Sequence, residues 1–548
     1  MKKIIAMLGA VFILNFCFAQ EMEGEDETLN LDTPESVDQI VDLEADENKE
    51  NGVDQSLQRN FNIQMASQNW NLDPHTAAYS SEAQILDSLY EGLFSYHPKT
   101  LDPVPAIAKS FKISRDKKRW TFTIREDAKF SNGEAINAFT VRNCWIELLK
   151  NQGAPYASLL DCIKNAEDFR NGKCSESDVG ISARDDKTLV VSLRTPTAHL
   201  SKILCHHAFS VCRTAGGEEA FSGAFKIKER TEASLVLEKN PEYWDEKNVH
   251  LPQITISSSS DISENAWIFN TGRTDWVSGM VDTAKLINKN AVRISAIFGT
   301  EYLFFSCKNR PWNNAEFRNA LLSAVPWSAL RKQSLVQATT LIYPLAGYPA
   351  VEGLTDTSPE DALEMMKDAR KALGYTENEK ISITFGVSMT SERQQKQAEL
   401  LKEAWEPLGV ELKIQTTPED RYIDSIPGWN ADLFTYSWIG DFADPLAFLE
   451  LFRGNSTLNQ TKWNSEKFNK LLEEASNTTD NMEHYKLLSQ AEQLLLDEGV
   501  ILPVSHSISL HAVNLNNVGG WFVNALDIHP FKYLYIKEDK TESVPNVI

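Results

Sequence analysis

Cysteine is scarce in this 548-residue chain: seven residues with no Cys-x-x-Cys pair are too few for a disulfide-built scaffold and offer no zinc-ribbon spacing. Positive charge is also short. Fifty-four Lys plus Arg stand against 77 Asp plus Glu, and the net charge of -23 repels nucleic acid and anionic lipid, so no nucleic-acid partner is expected. Beyond the amino terminus no run reaches the about 18 uncharged apolar residues of a transmembrane helix. No Gly/Ser linker and no internal repeat divides the chain from residue 60 onward. What remains is 42% hydrophobic, enough for a full core, over a length that makes three or four units at roughly 150 residues per domain.

Residues 1–19 read as an export signal. Lys2 and Lys3 precede a nearly unbroken apolar run from Ile4 to Phe16, 13 residues and too short to span a bilayer of about 30 Å. Small residues at Cys17 and Ala19 place the cut before Gln20. Leu14-Asn15-Phe16-Cys17 keeps a lipid anchor on Cys17 open as the other outcome, although bulky Phe16 stands where a lipobox has a small residue. Residues 21–54 then carry 14 acids and one base (Lys49) with no aromatic, a composition that cannot offset its own ordering entropy. The segment 20–55 is therefore read as a solvated acidic arm, and it holds over half of the net charge.

The rest is mixed α/β. Strand alternation marks Trp120 to Ile124, Leu189 to Leu193 and Leu235 to Glu238. Apolar residues three and four apart mark helices over Gln397 to Leu408, Ser465 to Glu474 and Met482 to Asp497, with Asn464 and Asp480 as caps for the last two. Turns are expected at Ser131-Asn132-Gly133, where Gly133 takes the positive φ, and at Ala215-Gly216-Gly217. Asp73, Asn240 and Asp444 each precede proline and are read as turn residues. Cys144, Cys162, Cys174, Cys205, Cys212 and Cys307 remain after signal removal; one or two bridges within 144–212 are expected, with buried free thiols as the other reading. His206 and His207, read as strand neighbours facing opposite ways, imply no metal site. No cofactor is implied.

Several motifs occur in a recognisable order: Asn71-Leu72-Asp73-Pro74, Leu89-Tyr90-Glu91-Gly92-Leu93, Trp120-Thr121-Phe122-Thr123-Ile124-Arg125-Glu126 with Phe130-Ser131-Asn132-Gly133-Glu134, and Lys239-Asn240-Pro241-Glu242-Tyr243-Trp244. Phe317-Arg318-Asn319-Ala320-Leu321, then Trp438-Ile439-Gly440-Asp441-Phe442-Ala443-Asp444-Pro445 and Leu502-Pro503-Val504 follow. Over about 60–540 the chain resembles family 5 of the bacterial extracellular solute-binding proteins, and Pro155-Tyr156-Ala157-Ser158 points to its oligopeptide binders.

That resemblance implies a type II periplasmic-binding-protein-like α/β fold of the large three-domain class, whose two lobes close around a ligand. Domain I would comprise 56–95, 197–300 and 520–548, domain II 96–196, and domain III 301–519. The implied partners are an oligopeptide and the permease subunits of an ABC transporter in the cytoplasmic membrane, met by a monomer outside that membrane.

A lone carboxylate, Asp441, in an aromatic stretch is costly to bury without a cation or several hydrogen bonds. By the resemblance that cation is the peptide's amino terminus, while an internal Arg or Lys is the bland alternative. Ser437, Trp438, Ile439 and Gly440 would form an extended segment that pairs with the peptide backbone. Trp438 reads equally as a core aromatic, and Tyr156 is a further candidate donor. Two positions depart from oligopeptide binders that meet a peptide carboxylate with a base or a histidine: here stand Thr435 and Gln394. The competing readings are the same fold with nickel, haem or an oligosaccharide, and a hydrolase using Asp441 and Asp444.

Overall fold

The computed structural model describes residues 59–537 except 67–69, 198, 214–218, 377–378, 419–420, 443 and 479. The expected signal, the whole acidic arm and the Ala215-Gly216-Gly217 turn lie outside the described residues. No helix among the described residues is long and apolar enough to cross a membrane.

A ten-stranded sheet forms the backbone of the molecule. Its centre is a pair of long antiparallel strands, Val292–Phe305 and Ile501–Val513. On one side follow Trp276–Ser278, Phe61–Met65, Gln253–Ser258, Ser234–Lys239 and Phe225–Arg230; on the other, Leu433–Ile439, Ile381–Ser388 and Val410–Thr417. The expected boundary at 300/301 falls inside the strand Val292–Phe305, so the long pair joins the two halves without a break. Strands at either end keep separate cores. Phe61, Ile63, Phe225, Trp276 and Trp521 pack together on one side, whereas Phe385, Leu401, Trp405 and Phe434 belong to the core of the other.

A second, four-stranded antiparallel sheet is built from Ala108–Ile113, Arg119–Ile124, Thr188–Ser192 and Ile181–Ala183. Its alternation was legible in sequence: Trp120, Phe122 and Ile124 turn inward, while Arg119 and Thr123 are exposed. The helix Ala138–Lys150 covers this sheet with Val141, Trp145, Leu148 and Leu149, and Asn137 caps it by accepting the Thr140 N–H.

The local rules hold at the turns. Gly133 adopts φ of 87°, and its N–H bonds the Phe130 carbonyl at 2.8 Å. Asp73, Asn240 and Asp444 each accept the N–H two residues on, from His75, Glu242 and Leu446 at 2.9, 3.1 and 2.9 Å.

Helix ends need one correction. Ser465, not Asn464, caps Glu466–Asn477, because its hydroxyl takes the Phe468 N–H; Asn464 Oδ1 accepts from Asn469 instead. Asp480 caps Asn481–Asp497 as expected. The helix read over Gln397 to Leu408 starts earlier, at Glu392 behind its cap Ser391, and tightens into a 3₁₀ turn at Glu406–Leu408 because Pro407 has no N–H to continue it.

Two of the ordered motifs meet through one carboxylate. Buried Glu91 accepts from Tyr243 Oη at 2.5 Å, Trp244 Nε1 at 2.6 Å and Lys532 Nζ at 2.9 Å. Burial favours the neutral amine, but Glu91 holds the Lys532 ammonium well above its ordinary pKa. The pairing ties the segment after Leu89 to the carboxyl-terminal segment. At Gly92 a Cβ would meet the Leu204 carbonyl at 2.8 Å, so only glycine fits beside this hub.

Candidate functional site

The strand Leu433–Ile439 is half covered. One edge pairs antiparallel with Val292–Phe305, from Phe305 opposite Leu433 to Gly299 opposite Ile439. On the other edge Ile381–Ser388 covers only Leu433 and Phe434. The Tyr422 hydroxyl closes the gap after them, accepting the Thr435 N–H and donating to the Gly386 carbonyl, both at 2.9 Å. Thr435 thus turns its N–H away from Val292–Phe305, and the two-residue period puts the N–H and C=O of Ser437 and Ile439 on that same side. Among the described residues no strand pairs there.

The open edge runs into Gly440 and Asp441. A Cβ on Gly440 would lie 2.7 Å from Phe298 and 3.2 Å from Phe448, so this close crossing requires glycine. Asp441 is 7% exposed, and among the described residues its ionic neighbour is His206, at 3.4 Å from Oδ1, rather than an Arg or Lys. Its Oδ2 is buried without a hydrogen-bond partner among the described residues. Burial pushes this carboxyl up to about 8. His206 cannot supply the missing charge: burial, with His207 beside it, holds the ring well below its ordinary value. Its Nδ1 accepts the Ala208 N–H at 3.3 Å, which leaves the neutral ring's proton on Nε2, facing Asp441.

These groups line a cavity of about 230 Å³, together with Tyr156, Ser437, Trp438, Ile439 and Gly440. All six residues singled out in the sequence therefore come together. Trp438 is a packed aromatic, its indole N–H bonding the Ala447 carbonyl at 3.1 Å and its ring stacking on Tyr436, and it also borders the cavity. The Tyr156 ring lies 4.2 Å from His206 and 6.0 Å from Trp438.

Other lining residues went unrecognised. His206 and His207 are not strand neighbours. They open a 3₁₀ turn at His207–Phe209, so their rings lie 4.1 Å apart and both border the cavity. The doublet itself was the available signal. Further lining comes from Ala78 to Ser80 and from Asp527, whose burial is outweighed by hydrogen bonds from His511 and His529 that hold its carboxyl below the usual range. No local pattern marks these positions.

Of the two departures, Thr435 is buried with its Oγ1 unmatched among the described residues. Gln394 is committed to the Ser388 N–H. Asp444 is likewise committed. Burial raises its pKa, but His484, 3.0 Å away, more than offsets this and holds it below the ordinary value. It therefore offers Asp441 no partner for paired acid and base work. The described cysteines are free thiols, so the expected bridges within 144–212 are not formed; Cys144 and Cys212 sulfurs lie 3.1 Å apart.

The segment that carries Tyr156 is also joined directly to the segment that follows Phe452. Thr457 Oγ1 donates to the Pro155 carbonyl at 2.5 Å, and Arg170 Nη2 reaches the Asn455 carbonyl at 3.4 Å. A continuous sheet through two end-packed cores, with a partly open and mostly apolar cavity beside one of its strands, is an arrangement that suits a two-lobed solute-binding protein.

The comparisons agree. The family described as bacterial extracellular solute-binding proteins, family 5 (middle region), matches residues 102–460, and the chain belongs to that family. The oligopeptide-binding protein OppA of Bacillus subtilis is 28% identical over 490 residues, covering 83% of this chain and 89% of its own. Haemophilus influenzae OppA in complex with RPPGFSPFR superposes with a TM-score of 0.77 at 22% identity, over 88% of this chain and 99% of that one. The murein tripeptide-binding protein MppA in its unliganded open form reaches 0.59 at 25% identity, over 88% and 98%. The fold is that of the type II periplasmic binding proteins.

Proposed function

We propose that this chain is an exported receptor that captures oligopeptides and hands them to the permease subunits of an ABC transporter in the cytoplasmic membrane. One observation carries the reading: a buried carboxylate with an unmatched oxygen, Asp441, stands at the end of an open strand edge. An α-ammonium group satisfies the first, and an extended peptide backbone satisfies the second. The N–H and C=O groups of Ser437 and Ile439 pair with any peptide backbone, so recognition tolerates sequence, while Trp438 and Tyr156 wall the side-chain space. Relatives named for oligopeptide and dipeptide binding support the same ligand class.

In this reading domain II, 96–196, swings against domains I and III about the two chain crossings at its ends, and no covalent step occurs. The protein acts as a monomer outside the cytoplasmic membrane, either free or held through Cys17. Native purification followed by denaturation and mass spectrometry is expected to release a mixture of short peptides. Sugar, haem or nickel without peptides would overturn the proposal.

The pH dependence follows from Asp441. Its carboxyl at about 8 is protonated at neutral pH, and an entering ammonium favours the ionised form. Binding near pH 7 should therefore release a net of about 0.8 proton, about 0.9 from a group titrating near 8 less about 0.1 taken up by the ligand's partly neutral amine. Affinity should rise with pH up to about 8, where the ligand's own amine, with an ordinary pKa of about 7.7–8.0, begins to lose its charge. Calorimetry in two buffers of different ionisation enthalpy reads the proton count, and Asp441→Asn should remove the release.

A further inference from the structure

Four of the six described cysteines are ordinary thiols bonded to backbone carbonyls: Cys162 to Leu159, Cys174 to Asn165, Cys205 to Ser95 and Cys307 to Phe305. Cys144 and Cys212 differ. Their sulfurs are 3.1 Å apart, and His75 Nε2 lies 3.5 Å from the first and 3.4 Å from the second. The three residues are buried, at 0%, 9% and 8% exposure for Cys144, Cys212 and His75. They come from positions 68, 69 and 137 residues apart, so no local turn explains the meeting.

We propose that His75, Cys144 and Cys212 form a binding site for a thiophilic d¹⁰ metal ion, Zn²⁺ or Cu⁺, separate from the peptide cavity. Two sulfurs and an imidazole nitrogen are the donors such ions select, and hard oxygen-seeking cations do not. His75 Nε2 stands at nearly equal reach of both sulfurs, and the 3.1 Å between the sulfurs would have to open to roughly 3.8 Å for a tetrahedral ion about 2.3 Å from each, so binding would part them by about 0.7 Å. A disulfide gives no role to a histidine nitrogen placed evenly between both sulfurs. Two buried thiolates with a divalent ion make a neutral set, which favours Zn²⁺; Cu⁺ leaves one net negative charge to bury. The Ser210 carbonyl, 3.3 Å from Cys144 Sγ, is an oxygen at hand for a fourth position.

The ion would tie down one wall of the cavity. His75 opens the stretch that leads to Ala78, Tyr79 and Ser80, Cys212 ends the stretch that carries His206 and His207, and Cys144 lies on the helix Ala138–Lys150. Occupancy fixes both lining stretches to that helix.

The test uses the full chain, reduced and kept free of oxygen, with Co²⁺ as the spectroscopic probe and Zn²⁺ and Cu⁺ added in competition. The expected result is one ion per chain, a thiolate-to-cobalt charge-transfer band, and affinity weakened about 100-fold or more in His75→Ala and Cys212→Ser. Circular dichroism and peptide binding establish that the variants fold. Should a variant not fold, the wild-type chain still decides: the bound ion must protect two thiols from alkylation. Stoichiometry with each metal separates zinc from copper. Absence of binding by the reduced wild type would overturn the site. So would a Cys144–Cys212 disulfide that forms equally well in His75→Ala, with no metal uptake after its reduction.

Discussion

Asp441→Ala is expected to weaken peptide affinity by a factor of about 10 to 1000, the scale of losing one buried charged hydrogen bond worth about 2–4 kcal/mol. The size follows from isolation. Among the described residues no Arg or Lys meets Asp441, and neutral His206 at 3.4 Å cannot replace a cation, so the ligand's ammonium makes the compensating contact. Calorimetry against an amino-terminally free peptide and its acetylated form gives the comparison. The wild type should lose affinity on acetylation and the variant should not. Equal affinities in wild type and variant would remove Asp441 from the site.

The same residue should cost stability. A carboxyl at about 8 in the folded protein, against about 3.9 unfolded, favours the fold in its protonated form. That contribution is present at low pH and is lost as pH rises from about 4 to 8. Asp441→Asn should therefore melt with the wild type near pH 4 and above it near pH 8, before peptide is added, in a scan of melting temperature against pH.

Glu91→Ala is the second large effect, on the fold rather than the ligand. It leaves the Lys532 ammonium, 9% exposed, without its counter-charge, and it leaves the Tyr243 hydroxyl and Trp244 indole N–H without their acceptor. Breaking a buried pair from one side costs about 3–5 kcal/mol. A thermal or denaturant midpoint should fall accordingly, and the double variant Glu91→Gln with Lys532→Met should recover part of the loss because no unpaired charge is then buried. A loss below about 1 kcal/mol would mean that the ammonium finds water or another partner. The hub also gives two ordered motifs a physical meaning, since Glu91 of one is the acceptor for Tyr243 and Trp244 of the other.

Much was legible in the sequence because much of it is local. Proline restricts the residue before it, so Asp73, Asn240 and Asp444 could be read as turn residues, and each accepts the N–H two positions on. Alternation identified the strand of Trp120 to Ile124, and the Asn-Gly pair located Gly133. Asp441 stood out because a carboxylate among aromatic residues demands compensation wherever it is buried. The helix cap at Ser465 was missed by one position because serine and asparagine are about equally good caps and only the backbone geometry chooses between them.

The amino-acid sequence by itself determined the mixed α/β class, the turns at Asp73, Gly133, Asn240 and Asp444 and the carboxylate of Asp441, while the extended segment from Ser437 to Ile439 was expected through the family resemblance. Only the tertiary structure decided which edge of that strand is open, that His206 rather than a base faces Asp441, and that His75 meets Cys144 and Cys212. The reason is physical. Periodicity and turn chemistry act over a few residues, whereas these contacts join segments 68 to 235 residues apart, whose meeting is set by the packing of whole sheets and helices.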